Sequence, residues 1–370
     1  MTISKAEKIF LHLLSASIYD KDIDLSLFRD IDDKTWREIA SISIKQSVGA
    51  LVADKALTLP EEYLPQKRLL INFVSHVEQT KSVNMRMIRS LCDMDKLLKE
   101  QGYPYILLKG LGNGINYPNP LLRTPGDIDL VLYDKDDYEK SKTWMASLGV
   151  EISSESILHY CIKYEGISIE IHKRVSYFGI MKLDKMFGEW EKRVFNAGVF
   201  PNADIDGMSV NVLPVEMNAF FIFQHLFRHF LNQGVGLRQV SDWVLFLENH
   251  KDDIDREAFA ETARRYDLLY PMQVFAQAVV KYLGVDERIF PFEVEAKAKH
   301  SDLVMRDILK VGNFGFHRPG MKRPKNKILG MAHGYVVALE RVASLGAISP
   351  KHMLNLPFSK VVNRLKASLK

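Results

Sequence analysis

The sequence predicts an α+β protein in which a small mixed sheet is flanked by an N-terminal and a C-terminal helical region. Three observations carry this. The strand-like runs Tyr105–Leu108, 127–132 and Ile167–His172 all fall within residues 101–205, and glycine or proline turns bound them. Residues 1–100 repeat apolar side chains at helical spacing, and residues from Pro214 onward do the same. The expected organisation is therefore 1–100 helical, 101–205 mixed, and 206–370 helical with a basic tail.

In order, residues 6–16 read as a first helix. Residues 33–55 continue the helical pattern from a cap at Asp32 or Asp33. Leu59-Pro60-Glu61-Glu62 reads as a break with a fresh helix start. Residues 64–101 follow as one long amphipathic helix whose stripe runs Leu70, Phe73, Val74, Val77, Met87, Ile88, Leu91, Met94 and Leu98. Thr80 and Asn84 interrupt the stripe, which predicts shallower burial for the middle turns. In the mixed region, 141–148 reads as a helix stopped by Gly149, and 150–152 and 160–164 as short strands. Gly166 turns the chain into Ile167–His172. Residues 215–231 form an aromatic-rich helix, and Gly234-Val235-Gly236-Leu237-Arg238 opens another that contains Asp242 and Trp243.

The chemistry concentrates around residues 105–138. An apolar run, Tyr105–Leu108, breaks at Lys109-Gly110. Arg123-Thr124-Pro125-Gly126 then precedes Asp127-Ile128-Asp129-Leu130. Strand residues alternate faces, so Asp127 and Asp129 share a face, and Ser168, Glu170 and His172 share one on Ile167–His172. If the two strands are neighbours, three carboxylates converge on one patch. Such a hard, oxygen-rich site suits Mg²⁺ and substrate phosphates. Alone, Asp-x-Asp reads as a turn signal or a solvated edge; the later Ile-Glu-Ile-His run and the preceding Lys-Gly make a metal site the better reading. Gly110, Gly112 and Gly114 also raise a dinucleotide fold, but there the ribose-binding acid closes the second strand, and here the acids open one.

These residues resemble the polymerase-β-type nucleotidyltransferases, most closely the branch of uncharacterised bacterial nucleotidyltransferases with a Leu-Lys-Gly turn. Leu108-Lys109-Gly110, Arg123, Asp127, Asp129 and Glu170 match position by position, and Gln224-His225, His229, 234–239 and Asp242 extend the likeness over most of the chain. The resemblance implies transfer of NMP from an NTP, ATP first among them, to an acceptor the sequence does not identify, with release of pyrophosphate. It implies that Asp127, Asp129 and Glu170 bind Mg²⁺, with Mn²⁺ as the alternative ion. Lys109, Gly110, Gly112, Arg123 and Arg238 are then the expected nucleotide contacts, and His172 a partner of the carboxylates or an alternative base. The chain departs from the wider pattern at Gly110-Leu111, where a Gly-Ser or Gly-Gly pair is usual. Phosphate binding there passes to Lys109 or to backbone amides around Gly112–Gly114. A catalytically silent nucleotide-binding or interaction module is the competing reading.

Other features bound the function less sharply. The chain has 370 residues, a net charge of +4 and 47% apolar residues, the composition of an ordinary globular protein, with a net charge too small by itself to argue for nucleic acid. Two cysteines without metal spacing, no leader-like segment and no apolar run of spanning length predict a cytoplasmic protein. His225 and His229 lie one turn apart without the glutamate of a zinc helix, so core histidines and a cavity wall both fit. Arg238 fits a structural ion pair or a triphosphate ligand equally. Lys173-Arg174 fit phosphate or solvent. Beyond Asp307 stand twelve Lys and Arg against the single acid Glu340. The basic loop 318–325 and a basic helix at 361–370 read first as a solvated face, then as a docking surface for an acidic partner, a membrane surface or RNA.

Overall fold

A computed structural model describes residues 2–156, 158–315 and 326–355. The basic loop 318–325 and the helix expected at 361–370 lie outside the described residues. The chain runs α1 (Lys5–Ile18), α2 (Asp33–Lys45), α3 (Gly49–Ala56) and α4 (Lys67–Glu100) before the first strand. The mixed region follows as β1 (Tyr105–Leu108), α5 (Gly110–Gly114), β2 (Ile128–Leu132) and α6 (Lys135–Ser147). It continues through β3 (Ile152–Glu155), β4 (His159–Tyr164), β5 (Ile167–His172), α7 (Met181–Ala197), β6 (Asn202–Ile205) and β7 (Met208–Asn211). The remaining helices are α8 (Val215–Asn232), α9 (Leu237–His250), α10 (Arg256–Arg265), α11 (Leu269–Leu283), α12 (Ala298–Val311) and α13 (Lys327–Leu345).

The fold is the expected α+β arrangement. Five strands form one mixed sheet in the order β1-β2-β5-β4-β3, with β2 and β5 parallel and the other neighbours antiparallel. Ile128, Leu130, Leu132, Ile169 and Ile171 turn one face toward a core shared with α4 and α6, where Leu91, Met94, Leu98 and Tyr138 are buried. The opposite face carries Asp129 and Val131, and Val131 belongs to a second, larger core. That core joins α1–α3 to α8–α12, so the two helical regions, far apart in sequence, bury their apolar stripes in common. Gln46 ties them: its amide donates to Ile308 O at 2.8 Å and accepts from Leu237 N at 3.1 Å. Gly236 is required at this crossing, because a Cβ there would stand 2.6 Å from Gln46 O.

Local details follow the chemistry of the caps. Ser4 and Glu7 form a capping box on α1, and Asp32 caps α2 by accepting from Thr35 N. Glu61 begins only a short 3-10 turn, and α4 starts at Lys67. Asp134 caps α6, which therefore starts well before the expected 141. The middle of α4 is not shallow: Thr80 and Asn84 are buried, whereas Val74 is 47% exposed. Asn84 is held there because its amide donates to Leu121 O at 2.7 Å and Arg123 O at 2.9 Å. The β6–β7 hairpin runs on both sides of residue 205. Its turn is Asp206-Gly207, both with positive φ, the geometry that Asp-Gly supplies to a two-residue hairpin.

Candidate active site

The site is a product of strand register. In the parallel β2–β5 pair Asp129 faces Glu170, and in the antiparallel β4–β5 pair His159 faces His172. Asp127 sits just ahead of β2, and carboxylate oxygens of Asp127, Asp129 and Glu170 lie within 4.8 Å of one another. The proposed neighbourhood of the two acid-bearing strands is thus met. Asp129 is 1% exposed and has two partners on one oxygen: Lys109 Nζ and His172 Nε2, each at 2.9 Å from Oδ1.

Electrostatics follow from that packing. Burial acts to raise the Asp129 pKa, but the Lys109 cation and the His172 hydrogen bond overcome it and hold the carboxyl far below the usual range. Burial acts to lower Lys109 and His172, and in each case the carboxylates win and raise the pKa. His159 is lowered, chiefly by burial, with Glu170 acting against it. Asp129, Lys109 and His172 therefore form one electrostatic cluster.

Lys109 reaches Asp129 from an unusual backbone. It has φ 39° and ψ −145° just before α5, a left-handed conformation that a lysine adopts only under constraint. Gly110 follows with φ 45°, and a Cβ there would come within 3.1 Å of Asp127 O. The glycine therefore lets the turn lie directly against the acid-bearing segment. Leu111 packs on the sheet-side core, so the departure from the usual Gly-Ser pair removes a hydroxyl without filling the cavity.

Beside these groups opens a cavity of about 350 Å³, within the usual range for small-molecule sites. The sheet side supplies Lys109, Gly110, the three acids and both strand histidines; α8 and α9 supply the far wall, including His225, His229, Arg228 and Arg238. His225 and His229 are held well below their ordinary pKa, first by burial and then by nearby Lys109 and Arg228. They are the cavity wall. Arg228 lies 4.7 Å from the Tyr177 ring centroid, a cation–π contact.

The two expected nucleotide arginines are engaged within the protein. Arg123 is buried and bidentate to Asp242, with Nε–Oδ1 at 2.8 Å and NH2–Oδ2 at 2.7 Å. Tyr117 donates to the same carboxylate at 2.8 Å. Its charge is therefore already met by Asp242, which the pair holds below the usual carboxylate range despite burial. Arg238 donates from NH1 to Thr124 O at 3.1 Å and Pro125 O at 3.3 Å, so it braces the loop ahead of Asp127 instead of meeting a carboxylate. Its Nε is buried without a hydrogen-bond partner. Gly112 does not line the cavity; its Cβ position looks toward Leu107 at ordinary contact distance.

Two groups at the site were not legible as such in the sequence. His159 stands in a strand whose other residues are apolar or exposed, and only the cross-strand register brings it to Glu170, 3.3 Å away. Tyr117 reaches Asp242 across 125 residues. An apolar strand carrying an opening histidine, paired in a tight hairpin with Ile-Glu-Ile-His, was the available signal for the first.

A small sheet bearing converging acids beside a cavity, set between helical layers, defines a nucleotidyltransferase-type domain. The chain belongs to the family described as uncharacterised nucleotidyltransferase, whose model matches residues 32–284. No curated protein matches it. Among solved structures, the crystal structure of an antigenic nucleotidyltransferase-like protein from Paracoccidioides brasiliensis is 12% identical. It covers 56% of this chain and 94% of its own, with a TM-score of 0.30, a likeness too distant to bear on the site.

Proposed function

We propose that this protein transfers a nucleoside monophosphate from an NTP, with ATP the first candidate, to an acceptor, releasing pyrophosphate, in the manner of polymerase-β-type enzymes. The observation that carries the reading is the convergence of Asp127, Asp129 and Glu170 on a cavity beside the Lys109 turn. The donor set fits Mg²⁺, since hard carboxylate oxygens are its preferred protein ligands, and the buried Asp129 accepts from the Lys109 ammonium and from His172 Nε2. When bound, the ion supplies charge stabilisation at the entering and leaving oxygens.

The chain's own residues do the rest. Lys109, on its constrained turn, is placed to exchange Asp129 for a phosphate oxygen, and the amide of Gly110 lies beside it. Arg238 adds a positive field from the α9 side, while Arg123 fixes the approach loop through Asp242. Glu170, 19% exposed, is the group best placed to take the acceptor's proton. His172 orients Asp129 through Nε2. Its Nδ1 has no partner, so the ring donates from Nε2.

The test is pyrophosphate release from each NTP with Mg²⁺ and a lysate of the source cells, comparing wild type with Asp129→Asn. Release by the wild type alone, with the nucleotide found on a lysate component, supports the transfer. NTP binding without release from any NTP leaves the silent binding module as the better description. Among the described residues no helix is long and apolar enough to cross a membrane.

A further inference from the structure

His159, which faces His172 across β4 and β5, has no part in the transfer reaction. His159 Nδ1 lies 3.3 Å from Glu170 Oε2, and His172 Nε2 lies 3.4 Å from the same oxygen. One ligand atom from each residue falls within 4.8 Å of the other two. Both separations exceed the about 2.7–3.2 Å of a good N–H···O hydrogen bond. They match the spacing of about 3.3 Å between neighbouring ligands of a tetrahedral ion with bonds near 2.05 Å. His159 Nδ1 is buried and has no hydrogen-bond partner, so its lone pair is uncommitted. The register of two strands fixes both rings, with centroids 4.8 Å apart.

We propose that His159, Glu170 and His172 form a second cation site, on the cavity wall beside the carboxylate set, that takes a zinc-type transition ion in preference to Mg²⁺. Imidazole nitrogen is a good ligand for zinc, cobalt and nickel and a poor one for Mg²⁺, whereas the Asp127–Asp129–Glu170 set is all oxygen. The two sites are thus separated by donor chemistry and joined through Glu170, which belongs to both sets. Three protein ligands leave a fourth position, and because all three residues line the cavity that position faces it. On binding, the neutral His172 ring changes tautomer: Nε2 releases its proton to solvent, gives up its hydrogen bond to Asp129 and presents its lone pair, and Nδ1 takes up one proton from solvent. Asp129, released from that contact, keeps Lys109.

The proposal goes beyond nucleotidyl transfer and is tested without nucleotide, so an inactive protein leaves it standing and an active one does not establish it. The full chain, stripped of metal with chelator and returned to metal-free buffer, is titrated with Co²⁺ while the visible absorption is followed, then with Zn²⁺ and Mg²⁺ by calorimetry. One Co²⁺ per chain with the intense bands of a four-coordinate ion is expected, displaced by Zn²⁺. His159→Ala and His159→Gln should each weaken Co²⁺ and Zn²⁺ binding at least tenfold and change Mg²⁺ binding less than twofold. Asp127→Asn should do the reverse. Because the His159 side chain is 21% exposed at the start of β4 and its Nδ1 holds no hydrogen bond, thermal melts matching wild type are expected for both variants. His225 and His229, with ring centroids 4.5 Å apart on α8, are the competing nitrogen pair. Co²⁺ binding that survives both His159 variants and is lost in His225→Phe would overturn the proposal, as would equal loss of Mg²⁺ and Co²⁺ in the His159 variants.

Discussion

At the scale of single residues, the site is defined by which charges are already paired. Lys109 neutralises Asp129 in the protein without metal, so Lys109→Met leaves a buried carboxylate with His172 alone. The expected cost is about 1–3 kcal/mol in metal-free buffer. Mg²⁺ should then raise the melting temperature of the variant more than that of the wild type, while Mg-NTP binds more weakly. Equal melting temperatures with and without metal in both proteins would remove Lys109 from its role as counter-charge. Arg123 and Asp242 behave differently, because each is the other's main partner in a buried, bidentate pair. Asp242→Asn should cost about 3–5 kcal/mol by urea denaturation, and the double replacement Arg123→Met with Asp242→Leu should recover most of it. The acids Asp127, Asp129 and Glu170 were legible because alternation on an apolar strand places them on one face whatever the partners are. The commitment of Arg123 was not, since nothing near residue 123 in the sequence points to an aspartate at 242.

At the scale of elements, the loop between α5 and β2 is positioned from two sides. Asn84 on α4 holds the carbonyls of Leu121 and Arg123, and Arg238 on α9 holds those of Thr124 and Pro125. Asn84→Leu is expected to keep α4 intact, lose about 1–3 kcal/mol through the unpaired carbonyls, and loosen the loop that carries Arg123. Hydrogen exchange of residues 121–127 should rise in the variant while that of 67–80 stays unchanged; parallel increases in both would place the effect on the helix itself. The same contact explains a misreading. Polar residues in an apolar stripe predict shallow burial when no partner is known, and here the partners are backbone groups of a distant loop. Strands β2 and β5 were readable from their alternation, and β1 from an apolar run broken at Lys109-Gly110. The β6–β7 hairpin was not read, although Asp206-Gly207 between Asn202–Ile205 and Met208–Asn211 is a strong turn signal. The parallel pairing of β2 with β5, and hence the facing of Asp129 and Glu170, is a register that alternation alone does not contain.

At the scale of the whole molecule, the two helical regions are one packed body, and the segment after α13 is part of it. His352, in the helical segment 350–355, packs against Phe178 and Phe227, and its Nδ1 pairs with Ser349. Burial, with Asp267 acting against it and Lys351 with it, pushes its pKa from 6.5 down to about 4. The folded protein therefore favours the neutral ring. Its stability is full above pH 6.5 and falls as the pH drops toward 4, by about 3 kcal/mol from this one group. His352→Phe should flatten that part of the stability–pH curve in urea titrations; an unchanged slope would assign the acid sensitivity to other groups. Composition and helical periodicity were enough to place helices before and after the sheet. That they share a core was hidden, because periodicity identifies an apolar face without naming what covers it.

The Gln46 crossing has a consequence during synthesis. Its partner Ile308 lies 262 residues downstream, and Ser15 pairs with Leu283 across 268. At ribosomal rates of about 5–20 residues per second, the apolar faces of the first helices wait about 13–50 s for the helices that cover them. The nascent chain thus presents a greasy surface throughout translation, and its yield in cells depends on chaperone supply more steeply than the finished protein's stability suggests.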